Sequence, residues 1–235
     1  MTAENKIAKA VGALFVITML LGMIDAYTVS PLLDASVDNY HAHRQQLFIG
    51  AFAILFMALG VVGIAILLYP IVEKYNKLVA IAYLCSRMLE ALLLISGVIV
   101  YFLVLSLSEE YLAANFAEAS YLQTMANLAV VVRYSSYQVA MIILGCASVA
   151  LCYVFYKTQL IPRSIAALGL VGYGCLLVSA PLDLMGAIDT TEAGGFLYIP
   201  GAVFELLLLP YWLIFKGFNA SGVQHNATTF QASLQ

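Results

Sequence analysis

The chain has 235 residues, of which 63% are hydrophobic and only 10% charged, against about 25% charged in an ordinary soluble domain. Ten Lys/Arg and thirteen Asp/Glu cannot cover the surface of a soluble domain of this size, and a formal net charge of −3 lacks the basic excess of a nucleic-acid binder. What remains is a polytopic membrane protein.

Six continuous apolar runs are predicted as membrane-spanning helices, since about 20 residues at about 1.5 Å each cross about 30 Å of hydrocarbon. Helix one covers Ile7–Tyr27. Lys6 and Lys9 ahead of it resemble the start of a cleaved leader, but the apolar stretch is long for one and Asp25 and Tyr27 flank Ala26 where a small-x-small site would be needed. Helix two, Leu47–Tyr69, carries Gly50, Gly60 and Gly63, small residues that permit close helix packing within or between chains. Helix three (Leu78–Leu107) and helix four (Ala126–Tyr156) are long enough to tilt or to project beyond the bilayer. Helix five covers Ile165–Ala187 and helix six Phe196–Phe215. The runs do not alternate, which excludes a transmembrane barrel. The expected fold is therefore all-α, with residues 1–218 forming one six-helix domain and residues 219–235 a polar tail without fixed structure.

Charge orients the chain. Lys6, Lys9, Lys74, Lys77, Lys157, Arg163 and Lys216 fall on one side, and the opposite connections hold Arg44 alone among basic residues. By the positive-inside rule both termini are expected in the cytoplasm. The opposite connections are expected to carry Asp34, Asp38, Glu109, Glu110, Glu118, Asp189 and Glu192.

The informative residues are ionisable groups inside the spans. Arg87 and Glu205 each lie about ten residues from the basic end of their helices, near the midplane, with Glu90 one turn beyond Arg87. Asp25, Arg133 and Asp183 lie nearer the acidic boundary. A lone charge at the bilayer centre costs about 3 kcal/mol on insertion scales, so three midplane groups without partners would cost about 9. They must face one another or a wet cavity. Tyr83, Arg87, Glu90, Gly97 and Tyr101 form one stripe of helix three; Arg133 and Tyr137 share a face of helix four, with Gln138 alongside; Tyr198, Gly201, Glu205 and Trp212 recur at helical spacing on helix six. Arg87, Glu90, Arg133 and Glu205 are thus expected to form a net-neutral cluster between helices three, four and six. Pro210 and Pro181 free backbone carbonyls beside Glu205 and Asp183.

Three readings follow. The first is a pocket for a small molecule or lipid, lined by Arg87, Glu90, Arg133, Tyr137, Glu205, Asp183 and Asp25, in a binding protein, transporter or sensor. The second is an intramembrane enzyme on a lipid or isoprenoid-like substrate, which requires Glu90 or Glu205 to lack an arginine partner, because a clamped carboxylate is a poor proton donor. The third is a structural or assembly subunit, whose ion network only joins helices. Membrane lipid is an expected partner, a homo-oligomer is compatible with the glycine stripe, and nucleic acid is excluded. No metal or cofactor is expected. His41 and His43 with Asp34 and Asp38 form an incomplete ligand set, and no histidine lies within a span to hold a haem. Cys85, Cys146, Cys152 and Cys175 have no Cys-x-x-Cys spacing.

The order of several short motifs carries a resemblance. These are Lys6-x-x-Lys9-x-x-Gly12, Arg87-x-x-Glu90, Gly145, the turn Tyr156-Lys157-x-x-x-Ile161-Pro162-Arg163, and the ending Pro200…Glu205…Trp212-Leu213-Ile214-x-Lys216-Gly217. The set resembles a family of bacterial six-helix integral membrane proteins catalogued as "domain of unknown function 4386", over about residues 6–218. The resemblance implies a bacterial inner-membrane location and six spans, and it brings no activity, substrate or catalytic residue. Where relatives often carry a histidine in helix four, this chain has Arg133-Tyr134-Ser135-Ser136-Tyr137, so a histidine-based chemistry does not carry over.

Overall fold

A computed structural model describes residues 3–33, 37–190 and 193–219. Six helices long and apolar enough to cross a membrane appear in the expected order, and no strand occurs among the described residues. Helix one is Ala3–Thr28, helix two Arg44–Val72, helix three Lys77–Ala113, helix four Phe116–Thr158, helix five Arg163–Leu184, and helix six runs from Gly194 to Phe215. The chain is a multi-pass membrane protein. The polar tail beyond Asn219, with His225, lies outside the described residues, as do Asp34 and Glu192.

Packing follows chain order. Helix one packs on two, two on three, three on four, four on five and five on six, and helix six returns to helix one. The short turns at the basic end enforce these antiparallel neighbours. Asn76 accepts from Val79 N at 3.0 Å and starts helix three. Gln159, at φ 56°, ends helix four in the left-handed region, and Pro162 caps the start of helix five.

Helices three and four have 37 and 43 residues, about 55 and 65 Å, and exceed the hydrocarbon thickness together. This corrects the placement of three acids. Glu109 and Glu110 lie within helix three, and Glu118 is no loop residue. Its backbone N–H donates to Asn115 Oδ1 at 3.1 Å while its side chain accepts from the Asn115 N–H, a reciprocal cap that starts helix four ten residues before Ala126. The first acidic-side connection folds onto the projecting part of helix three. Its short helix Val37–Ala42 is held by Ser108, which donates to Val37 O at 2.6 Å and accepts from His41 N at 3.0 Å, and Tyr40 ties Ser30–Leu33 to it by donating to Leu33 O at 2.9 Å.

Two glycines explain how closely helices one and two approach. A Cβ on Gly60 would lie 2.4 Å from Thr18 Cγ2, and one on Gly50 would lie 2.3 Å from Val29 Cγ2. Two members of the glycine stripe therefore serve packing within the chain.

Helix six is irregular. A 3-10 segment Ala193–Tyr198 leads to the α-turn Ile199–Ala202, a π-helical segment Val203–Leu208 and a final α-segment Leu209–Phe215. Pro210 has no N–H to bond the Leu206 carbonyl, and the backbone widens just before it, with the Leu209 N–H reaching Phe204 O, five residues back.

This irregularity shapes the seam with helix one. Near the basic end the seam is tight. Ala8, Val11 and Phe15 are buried against Leu209 and Leu213, and a Cβ on Gly12 would lie 2.8 Å from Ile214 Cγ1. Further along the same face of helix one, Met19 and Gly22 are only half-buried and Ala26 is exposed. The opposing segment Ile199–Ala202 has no buried residue and packs on helix five, where Gly172 meets Gly201. Helices one and six close on each other below Glu205 and part above it.

Candidate functional site

Ionisable and tyrosine side chains in the ring's interior form three nodes. The deepest is centred on Arg87, about 15 Å from the basic end of helix three. Its Nη1 donates to Glu90 Oε1 and Oε2 at 3.2 and 3.0 Å, its Nη2 to Glu205 Oε1 at 3.4 Å, and its Nε to the Tyr83 hydroxyl at 2.9 Å. Tyr173 of helix five also donates to Glu205 Oε1. The Arg87 and Glu90 side chains are 3% and 1% exposed, while Glu205 is 16% exposed. On the basic side of this node a cavity of about 10 Å³, lined by Phe15, Leu68, Phe155, Phe204 and Leu213 among others, leaves room for about one water. The cluster is therefore plugged toward the basic end.

The second node joins opposite sides of the ring. Arg133 Nη2 on helix four donates to Asp25 Oδ2 on helix one at 2.5 Å, and its guanidinium carbon lies 5.0 Å from the Tyr101 ring centre. The Tyr101 hydroxyl donates to Asp25 Oδ1. The Arg133 stem passes over Gly97, where an added Cβ would lie in ordinary contact, 3.5 Å from Arg133 Cγ.

The third node surrounds Asp183 on helix five. Tyr134 and Gln138 of helix four donate to its Oδ2, and the Thr190 N–H donates to Oδ1 at 3.1 Å. Gln138 also donates to Thr190 Oγ1 at 3.1 Å and accepts from the Tyr198 hydroxyl of helix six at 3.0 Å. Among the described residues every hydrogen-bond donor on Asp183 is neutral.

The expected grouping is thus corrected in one respect. Arg87, Glu90 and Glu205 do converge, but Arg133 pairs with Asp25 of helix one in a separate node, because helix four turns Arg133 across Gly97 toward Asp25. Sequence reasoning missed Tyr173, Tyr134 and Thr190 as partners of the buried acids. Tyrosines in an apolar run read as core, and only the carboxylates they meet show otherwise.

Four carboxylates face two guanidiniums in this interior. Their oxygens are not equally satisfied. Among the described residues both oxygens of Asp25, Glu90 and Asp183 accept a hydrogen bond, whereas Glu205 Oε2 accepts none. Tyr137 is 41% exposed and its hydroxyl makes no hydrogen bond among the described residues, although it stands within electrostatic range of Glu90, Arg133, Glu205 and Tyr198. Tyr137 and Glu205 are thus polar side chains of this interior that are left partly exposed.

The acid–base chemistry considered from the sequence needed Glu90 or Glu205 free of arginine, and one guanidinium serves both. No group of three or more His, Cys, Asp or Glu suited to a metal occurs among the described residues. His41 Nδ1 lies 3.8 Å from Glu109, and His43 Nδ1 lies 3.0 Å from the Asn39 carbonyl. Asp34, the remaining acid of that expected set, is outside the described residues. All four cysteines are free.

Six apolar helices in chain-order packing define an integral membrane protein that holds several ionisable groups inside its bundle. Residues 10–217 match the family model described as Domain of unknown function (DUF4386), and the chain belongs to that family. No curated protein and no solved structure matches it.

Proposed function

We propose that this chain is a bacterial inner-membrane protein, with both termini cytoplasmic, that binds a small lipid-soluble molecule or lipid in the cleft between helices one and six. One observation carries the reading. The seam between these helices is tight beside Phe15 and Leu213 and has no buried residue over Ile199–Ala202, beyond Glu205, and we place the partly exposed Tyr137 and the open Glu205 oxygen at that opening. A bare helix-joining network would close over its polar groups, since an unsatisfied polar atom in hydrocarbon costs several kcal/mol. Entry is lateral or from the acidic side, because the apolar plug around Phe15 and Phe204 shuts the basic half. Binding explains this arrangement better than a continuous transport path.

The test is purification in native-lipid nanodiscs, followed by mass spectrometry of extracted small molecules. A bound species enriched over bulk lipid is expected in the natural protein, and a folded Tyr137→Leu variant should retain less of it. No enrichment over empty nanodiscs overturns the reading.

A further inference from the structure

The open polar atoms differ in what they demand. Arg133 also has unpaired N–H groups among the described residues, since only its Nη2 donates. It lies near the acidic boundary, where water and headgroups supply acceptors without a dedicated ligand. Glu205 lies about 15 Å from the basic end of helix six, near the bilayer midplane. No lipid tail can donate a hydrogen bond there.

The Glu205 environment supplies donors to one oxygen only. Tyr173 and Arg87 both address Oε1, and the 3.4 Å contact from Arg87 is long for a charge-assisted bond. The same guanidinium makes its shorter contacts to Glu90, at 3.0 and 3.2 Å. Glu205 is therefore the acid that Arg87 serves second. Around it the interior charge is unbalanced, with Asp25, Glu90, Asp183 and Glu205 facing Arg87 and Arg133. The ring of Tyr137 adds a face of the kind that attracts organic cations.

We infer that the cleft takes a lipophilic amine, a molecule with an apolar body and a protonated nitrogen bearing at least one N–H, which donates to Glu205 Oε2 while Tyr137 flanks the charge. The inference rests on the cleft reading and names its ligand class. The exposed Met23, Ile24 and Phe196 near the opening suit the apolar body. An anionic head is disfavoured by the carboxylate surplus, and a quaternary ammonium has no N–H for the open oxygen. A phospholipid amine would carry its phosphate to the midplane, so the source is a lipophilic amine, not a headgroup.

The experiment measures binding of a matched series, decylamine, decanol, decyltrimethylammonium and decyl sulfate, to the full chain in zwitterionic nanodiscs by titration calorimetry, with empty nanodiscs as baseline. Decylamine is expected to bind at least ten-fold more tightly than the other three. Glu205→Gln should lower decylamine affinity to that of decanol, and Glu205→Asp, which keeps the charge, should retain the preference at reduced affinity. If decanol, decyl sulfate or decyltrimethylammonium matches decylamine in the natural protein, the amine inference is overturned while the cleft reading stands. A folded Glu205→Gln variant that keeps the preference overturns it equally. If no compound binds above the baseline, the amine inference is overturned, and the cleft reading falls with it when nothing is enriched from native lipid.

Discussion

Asp25 on helix one and Arg133 on helix four reach each other across the ring at 2.5 Å, and the Tyr101 hydroxyl holds the other oxygen of the same carboxylate. Helices three and six are joined in the same manner by Arg87 and Glu205. Two ion pairs thus brace opposite sides of a bundle whose helices pack mainly on chain neighbours.

Breaking the first brace from one side leaves an uncompensated charge. Arg133→Met should destabilise the protein by about 3 kcal/mol, the lower end for removing one partner of a buried pair. Adding Asp25→Asn should recover part of that loss. Unfolding followed in mixed micelles measures both, and strictly additive losses would show that the pair is not coupled.

Arg87 should tolerate change less than either of its acids. Arg87→Gln strands Glu90, which is 1% exposed, together with Glu205, and a loss of about 4 kcal/mol is expected. Glu90→Gln leaves a neutral acceptor on Arg87 and should cost clearly less. Equal losses for the two variants would contradict the assigned hierarchy.

Close contact between helices one and two rests on absent side chains. Gly60→Val must push against Thr18, where even a Cβ would come within 2.4 Å of Cγ2, so a loss of about 2 kcal/mol is expected, within the range for overpacking. Gly174, with nothing within 4 Å of an added Cβ, should accept Ala with no destabilisation. The two unfolding midpoints compare the predictions directly.

The parting of helices one and six can be measured by cross-linking in a background with all four cysteines replaced by serine. A Cβ on Gly12 would lie 3.2 Å from Leu213 Cβ and 2.8 Å from Ile214 Cγ1, so once Ile214 shifts aside and the two Cβ atoms relax into the disulfide range, Gly12→Cys with Leu213→Cys should oxidise. Ala26→Cys with Ile199→Cys, both on exposed positions beyond Glu205, should not. Efficient bridging of the second pair would mean a closed seam.

Much of this protein was legible one residue at a time. The runs of apolar residues set six spans and their order, and the lysines and Arg163 marked one end. Counting along the helices placed Arg87 and Glu205 near the midplane and Asp25, Arg133 and Asp183 farther out, because rise per residue converts position into depth. The extra length of helix four was not legible, since Asn115 and Glu118 read as loop residues until their reciprocal cap is seen.

Pairing belonged to the tertiary structure alone. Depth is a property of one helix, whereas a partner depends on the rotation and approach of two. The rotation of helix four turns the Arg133 side chain toward Asp25 of helix one, so it leaves the Glu90 cluster that its helical stripe suggested. Pro210 ends the α-helical ladder of helix six, and the wider turn before it carries Glu205 to Arg87 and Tyr173 while the segment beyond leans on helix five. Hydropathy and charge, summed along the chain, determined the six spans and where along its helix each ionisable group falls. Which oxygen of Glu205 stays open, and that helix one draws away from it, arose only from side chains of six helices competing for the same interior volume.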